Sequence, residues 1–141
     1  MSGSNILTFC LLFPALLTAG CGSTNDTIAN PNAPTPVAVS EPLFTGLLSR
    51  NGAATYPFVA NTGSITVTLS GVDPDTTVIG FALGTWNQST ELCQIVLAND
   101  NAIKGKVIIG TAQNSSAYCV RVFDVGKVTD PTTYEVAISH F

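Results

Sequence analysis

The chain has 141 residues and a formal net charge of −4 at neutral pH, with 45% hydrophobic but only 10% charged residues. Because globular proteins carry about 25% charged residues, a folded domain here must cover its surface with uncharged polar residues, as secreted β-proteins commonly do. The five basic residues are scattered along the chain, and a surface that follows nucleic-acid phosphates needs them clustered. We therefore expect no nucleic-acid partner.

The N-terminal region contains an apolar run, residues 6–17, followed by Thr18-Ala19-Gly20-Cys21. The run is long enough for the core of a signal peptide and too short to span a bilayer. The four residues after it resemble the lipobox of bacterial lipoproteins. This resemblance implies that residues 1–20 are a signal peptide and that Cys21 becomes the lipidated first residue of the mature protein. No Lys or Arg precedes the run, although a secretory signal normally starts with a basic region.

Two other interpretations of this segment stay open. Residues 6–17 could form a buried helix or strand of the domain, or they could belong to a signal peptide that is cleaved without lipidation of Cys21. The lipoprotein interpretation is favoured because the four residues fit the pattern at the right distance from the start. It implies an exported protein that a lipid anchor attaches to a membrane. In lipoproteins an Asp after the lipidated cysteine favours retention in the inner membrane. Because Gly22 stands at that position, the resemblance implies localisation to the outer membrane or the cell surface.

The segment after Cys21 is rich in Pro, Asn, Ser and Thr and has no apolar periodicity. Such a composition cannot bury enough apolar surface to order the chain, so we predict a flexible linker over residues 21–42. The alternative is an ordered arm that packs on the domain, mainly at residues 37–39.

Residues 43–141 consist of short apolar runs separated by Gly, Pro, Asn and Asp, and they predict one domain. Over residues 64–70 polar and apolar residues alternate strictly, so Ile65, Val67 and Leu69 are predicted to face a core. Seven further strands are predicted over residues 43–48, 55–59, 78–83, 92–97, 106–110, 117–123 and 134–139. Because no helical segment lies between them, we predict an all-β fold, a single antiparallel β-sandwich of about eight strands that is jelly-roll-like.

Four cysteines are present, of which Cys10 would be lost with the signal peptide and Cys21 would carry the lipid. The remaining pair, Cys93 and Cys119, predicts a disulfide in an oxidising compartment. A zinc site would need more cysteine or histidine ligands, and no basic cluster adjoins either cysteine to activate a thiol.

The strand over residues 117–123 indicates where this disulfide lies. Tyr118, Val120 and Val122 share one face and have stronger core character than the face that carries Cys119. We therefore predict that the disulfide links two strands on the outer face of one sheet. A bridge between the two sheets, as in immunoglobulin domains, stays open as the alternative.

Six segments in this region resemble the strands of the bacterial pre-peptidase C-terminal domain. They are Phe44-Thr45-Gly46, residues 54–58, 63–69, 75–83 and 118–122, and Tyr134-Glu135-Val136. The resemblance covers nearly all of residues 43–141 and implies a β-sandwich in an extracellular setting. It implies no activity, since in that family the domain commonly follows the catalytic domain of a secreted enzyme. The family's Asp-x-Asp-Leu stretch is replaced here by residues 73–78, so a shared cation site does not follow.

Candidate catalytic and metal-binding residues are few. The only histidine, His140, is one residue from the end and is expected to be a solvated terminal residue rather than part of a triad. No G-x-S-x-G motif occurs. Asp73 with Asp75, and residues 99–101, are two oxygen-rich turns, but each offers at most three side chains whereas calcium takes six to eight oxygens. We therefore predict ordinary turn chemistry, no cofactor and no metal.

The best candidate for ligand binding is the segment Trp86-Asn87-Gln88, because residues 84–90 are polar and loop-like. An exposed indole flanked by amides could stack on a sugar; the alternative is that Trp86 covers one end of the sandwich. The sequence thus predicts a non-enzymatic cell-envelope lipoprotein whose domain recognises polysaccharide or an envelope protein. The alternative is an accessory or inhibitor module that docks on a secreted hydrolase. The oligomeric state is left open.

Overall fold

The computed structural model describes residues 34–141, and residues 35–141 form one compact unit. The predicted signal peptide, the lipidation site Cys21 and the linker as far as residue 33 lie outside the described residues. Within them, no helix has the length and hydrophobicity needed to cross a membrane. The strands are β1 (Val39–Ser40), β2 (Phe44–Leu48), β3 (Ala53–Ala60), β4 (Gly63–Asp73), β5 (Ile79–Asn87), β6 (Leu92–Ala102), β7 (Val107–Ala112), β8 (Ser116–Phe123) and β9 (Thr132–His140).

The nine strands form two antiparallel sheets. One sheet has the order β1-β9-β4-β7, and β2 pairs with the same edge of β9 as β1 does, further along the strand. The other sheet has the order β3-β8-β5-β6. This arrangement is that of a jelly roll, in which eight strands enclose one core as two Greek keys. The predicted all-β sandwich is therefore confirmed, and each of the eight predicted strands overlaps an observed one.

The core lies between the two sheets and is built by alternation. In β4, Ile65, Val67 and Leu69 are at most 1% exposed, because every second side chain of a strand points to the same face. Their neighbours on β9 in this face, Val136 and Ile138, are buried as well. The inward prediction for residues 64–70 is therefore confirmed.

The last residues of the predicted linker are ordered, which corrects its boundary at residue 42. Val39 and Ser40 pair with His140 and Ser139 of β9, and the N–H of Glu41 donates to the carbonyl of Ile138 at 3.0 Å. These contacts are made by the main chain, and the side chain of Val39 stays 49% exposed. The composition of the side chains therefore did not indicate this pairing. The pairing agrees with the alternative of an ordered arm at residues 37–39.

The disulfide joins Cys93 of β6 to Cys119 of β8, two strands of the four-stranded sheet that flank β5. The predicted pairing within one sheet is confirmed, and a bridge between the sheets is excluded. Cys119 alternates with Tyr118 and Val120, which belong to the core, so it lies on the outer face. It is nevertheless completely buried.

Candidate functional site

Exposed apolar side chains are concentrated on two consecutive strands, β6 and β7, and in the loop between them. Of the twelve large apolar residues that are exposed in residues 34–141, seven lie on β6, on β7 or in the loop between them. β6 and β7 are the terminal strands of the two sheets. We call these seven residues the edge surface: Leu92, Ile95, Val96, Leu97, Ile103, Val107 and Ile109. Grouped apolar side chains of this kind on a soluble domain mark interaction sites.

A groove of about 340 Å³ lies where the two edge strands face each other. Buried side chains of the core, Ile65, Leu83 and Tyr118, contribute to its lining. Val96 and Leu97 of the edge surface also line it. The polar residues of the lining are Thr85, Thr111, Gln113 and Asn114. An apolar concavity with a few polar groups is the usual composition of a binding site, so the groove can accept an apolar side chain of a partner.

The free edge of β7 lacks the features that normally protect an edge strand. Val107–Ala112 contains no charged residue, no proline and no irregularity in its pairing with β4, whereas exposed edges are usually protected by Lys, Pro or bulges. The basic residues Lys104 and Lys106 precede the strand rather than lie within it. Main-chain groups and apolar side chains are therefore available together on this strand.

The predicted ligand-binding residues lie elsewhere, and the prediction that Trp86 is in a loop is wrong. β5 continues to Asn87 because Trp86 pairs with Cys93 and Asn87 with Leu92, next to the disulfide. Trp86 is partly exposed and does not pack on the core, so it does not cover an end of the sandwich. The Oδ1 of Asn87 accepts the N–H groups of Ser89 and Thr90 at 3.0 and 3.2 Å. Asn87 therefore closes the hairpin.

Gln88, the third predicted residue, is exposed in that hairpin turn. Trp86 is partly exposed and Gln88 is exposed, but neither lines the groove at the edge surface. The structure thus separates the predicted sugar-stacking segment from the apolar site.

His140 is buried, which corrects the expectation of a solvated terminal residue. It is 5% exposed, its ring stacks on Phe58 at 5.5 Å, and its Nε2 lies 3.0 Å from Oε1 of Glu41. The reason is that β9 extends to this residue and β1 covers its edge. The ring nitrogens of His140 contact a carboxylate and the carbonyl of Phe141, and no nucleophilic side chain contacts them in the described residues.

A tyrosine completes this cluster. The hydroxyl of Tyr56 donates to Oε2 of Glu41 at 3.4 Å, and the Tyr56 ring stacks on Phe44. Burial raises the pKa of Tyr56, and the negative charge of Glu41 and this hydrogen bond raise it further. Glu41 therefore receives hydrogen bonds through both of its carboxylate oxygens.

The two oxygen-rich segments use their side chains for local structure, and residues 99–101 lie in β6 rather than in the predicted turn. Asp75 forms an ion pair with Lys104 at 2.9 Å. Asn99 accepts the N–H of Asn101, and the Oδ1 of Asn101 accepts a hydrogen bond from Lys127 at 3.0 Å. Residues 34–141 contain no group of three His, Cys, Asp or Glu side chains with the geometry of a metal site.

Comparison with known proteins supplies no relative: no protein-family profile matches the chain, and no curated protein matches it. The resemblance to the pre-peptidase C-terminal domain therefore stays a hypothesis drawn from the strand sequences. The geometry selects the edge surface, with its groove, as the candidate functional site.

Proposed function

We propose that the protein is a non-enzymatic lipoprotein of the bacterial cell envelope that binds another envelope protein through its edge surface. The observation that carries the proposal is the concentration of seven exposed apolar side chains on the edge strands β6 and β7 and in the loop between them. Val96 and Ile109 are 68% and 65% exposed. Covering such side chains with a partner removes apolar area from water at about 25 cal/mol per Å².

The chemistry of the surface favours a protein over a polysaccharide. The edge surface is aliphatic, with no charged group in Leu92–Ala98 or Val107–Ala112, whereas a sugar is bound by an aromatic platform with polar side chains around it. The groove beside β7 matches an apolar side chain of a protein, and the free edge of β7 offers main-chain hydrogen bonds. An extended segment that carries apolar side chains at alternate positions uses both.

The N-terminal sequence supports placing this binding in the envelope. The lipobox-like residues Thr18–Cys21 and the Pro/Asn/Thr-rich linker fit a domain that is held close to a membrane by lipidated Cys21. A lipoprotein cysteine carries more than one acyl chain, which exceeds the marginal membrane binding of a single chain. Gly22 after the cysteine favours the outer membrane or cell surface, so the partner is expected there.

The proposal is tested by crosslinking the full-length protein in the source bacterium and quantifying each captured envelope protein. In the double variant Val96→Thr/Ile109→Thr the β-branched shape is kept while apolar surface is removed. The matched control is Val59→Thr, on a residue 59% exposed in β3. We expect capture of one defined envelope protein to fall at least tenfold in the double variant and to be retained in the control. Equal capture by both variants contradicts the proposal.

The same preparation distinguishes the other candidates. On a glycan array, the wild type and Val96→Thr/Ile109→Thr could both bind a polysaccharide that Trp86→Ala does not bind. That result would identify the Trp86 segment, and not the edge surface, as the binding site. A captured secreted hydrolase whose activity changes on adding the purified protein would support the accessory or inhibitor alternative and overturn the choice of an envelope partner.

A further inference from the structure

The chain enters the sandwich through a short segment, Val39–Glu41, which we call the N-terminal arm. Two kinds of contact hold it on β9. The main chain of Val39 and Ser40 pairs with His140 and Ser139, and the N–H of Glu41 donates to Ile138. In addition, the carboxylate of Glu41 contacts Nε2 of His140 at 3.0 Å, with side chains that are 22% and 6% exposed. The residues in this contact are 99 positions apart.

Both ring nitrogens of His140 lie close to an oxygen atom. Nε2 faces Oε1 of Glu41, and Nδ1 faces the carbonyl oxygen of Phe141, each at 3.0 Å. An ionised carboxylate and a carbonyl are acceptors only, whereas a neutral imidazole has one donor and one acceptor nitrogen. Both hydrogen bonds therefore form together only when His140 carries a proton on each nitrogen.

The surroundings of His140 contribute few other ionisable groups. By register, β1 places Val39 and β4 places Ile65 beside it, and β3 contributes the ring of Phe58. The charged or titratable groups that face it are the carboxylate of Glu41, the main-chain carboxyl of the last residue, Phe141, and, behind the Glu41 carboxylate, the hydroxyl of Tyr56.

We propose that Glu41 and His140 form a pH-sensitive clasp that holds the N-terminal arm on β9 in mildly acidic conditions and weakens as the pH rises. Carboxylates are ordinarily ionised above about pH 4.5, and histidine ordinarily changes charge between about pH 5 and 8. Below the histidine transition both hydrogen bonds and the ion pair are present. Above it the neutral ring keeps one of the two hydrogen bonds and loses the charge that strengthens the contact with Glu41.

Opening of the clasp lengthens the segment that precedes the domain. Releasing the three residues of the arm adds at most about 10 Å of extended chain. The device is independent of the edge surface, because it concerns residues 39–41 and β9, whereas the edge surface lies on β6 and β7.

The clasp is tested by hydrogen exchange of the Glu41 amide, measured by NMR on the purified protein at pH 5.5 and 8.0 and corrected for intrinsic exchange. We expect its protection factor to fall on the order of tenfold at the higher pH, because a hydrogen bond to a charged group is stronger than one between neutral groups by about the energy that corresponds to this factor. The amide of Val120 in β8 reports global unfolding and is expected to keep its protection.

Two variants decide the cause. Glu41→Gln keeps the size and hydrogen-bonding capacity of the side chain but not its charge, so the pH dependence at residue 41 should disappear. Asp75→Asn removes a carboxylate from the surface ion pair with Lys104 and should behave as the wild type. A wild-type protein with the same protection at both pH values overturns the clasp, and so does Glu41→Gln with an unchanged pH dependence.

Discussion

The Oδ2 atom of Asp124 accepts the backbone N–H of Asn51 at 2.8 Å, which ties the turn between β2 and β3 to the loop that follows β8. The other oxygen of Asp124 accepts the N–H groups of Gly126, Lys127 and Val128 at 2.8 to 3.0 Å. One exposed carboxylate thus receives four main-chain hydrogen bonds. In the sequence this aspartate is only one acid among several, because its partner Asn51 lies 73 positions away.

We predict that this network makes stability depend on pH. The hydrogen bonds from Asn51 and Val128, followed by those from Lys127 and Gly126, hold the pKa of Asp124 below its ordinary value. A lowered pKa means that the ionised carboxylate stabilises the fold fully above the pKa of the unfolded chain, near pH 4. That stabilisation is lost as the pH falls through the pKa of the folded protein.

The variant Asp124→Asn isolates this effect. Its melting temperature should lie below that of the wild type at pH 7, and the difference should shrink as the pH falls below the ordinary pKa of an aspartate and Asp124 becomes protonated in the folded state as well. Thermal melts of the two proteins over this range measure it. A difference that stays constant with pH would show that the charge of Asp124 is not what stabilises the loop.

The disulfide between Cys93 and Cys119 predicts a second stability effect. It closes a loop with a sequence separation of 26 residues, for which chain-entropy arguments give about 3–4 kcal/mol. The double variant Cys93→Ser/Cys119→Ser should lose this amount in urea unfolding. The wild type in excess reductant should match the double variant, and a loss below about 1 kcal/mol would contradict the prediction.

Core packing predicts a contrast between two leucines in the same sheet. Leu69 of β4 is completely buried, whereas Leu47 of β2 is 61% exposed. Leu69→Ala should cost about 2–5 kcal/mol, because it removes buried methyl groups and leaves a cavity. Leu47→Ala, the same chemical change on the surface, should stay within about 1 kcal/mol. Equal losses in urea unfolding would mean that the two residues are not on opposite faces.

The strands could be predicted because each sheet of the sandwich has one solvent-exposed face and one buried face. In β4 this difference produces the alternation of Ile65, Val67 and Leu69 with Ser and Thr, which is visible without any knowledge of the partners. The disulfide could be predicted for a similar reason: only two cysteines remained once Cys10 and Cys21 were assigned to the N-terminal segment.

The remaining features depend on topology, which the local sequence does not encode. The arm pairs with β9 through main-chain bonds, and the side chain that contacts His140, Glu41, lies 99 residues earlier. The run Leu92–Leu97 has the composition of a buried strand, and it is exposed because β6 is the last strand of its sheet. The candidate site was therefore missed, although the excess of apolar residues in β6 and β7 is a signal for it.

The lipid anchor gives the last prediction and concerns Cys21. If the lipobox-like sequence is functional, mass spectrometry of membrane-extracted protein should show a chain that starts at an acylated Cys21 and lacks residues 1–20. Cys21→Ser should abolish acylation and leave the protein out of the detergent-extracted membrane fraction. Cys10→Ser is the matched control, because it changes a cysteine within the predicted signal peptide and should leave lipidation intact. An unmodified mature chain in the soluble fraction of wild-type cells would exclude the anchor.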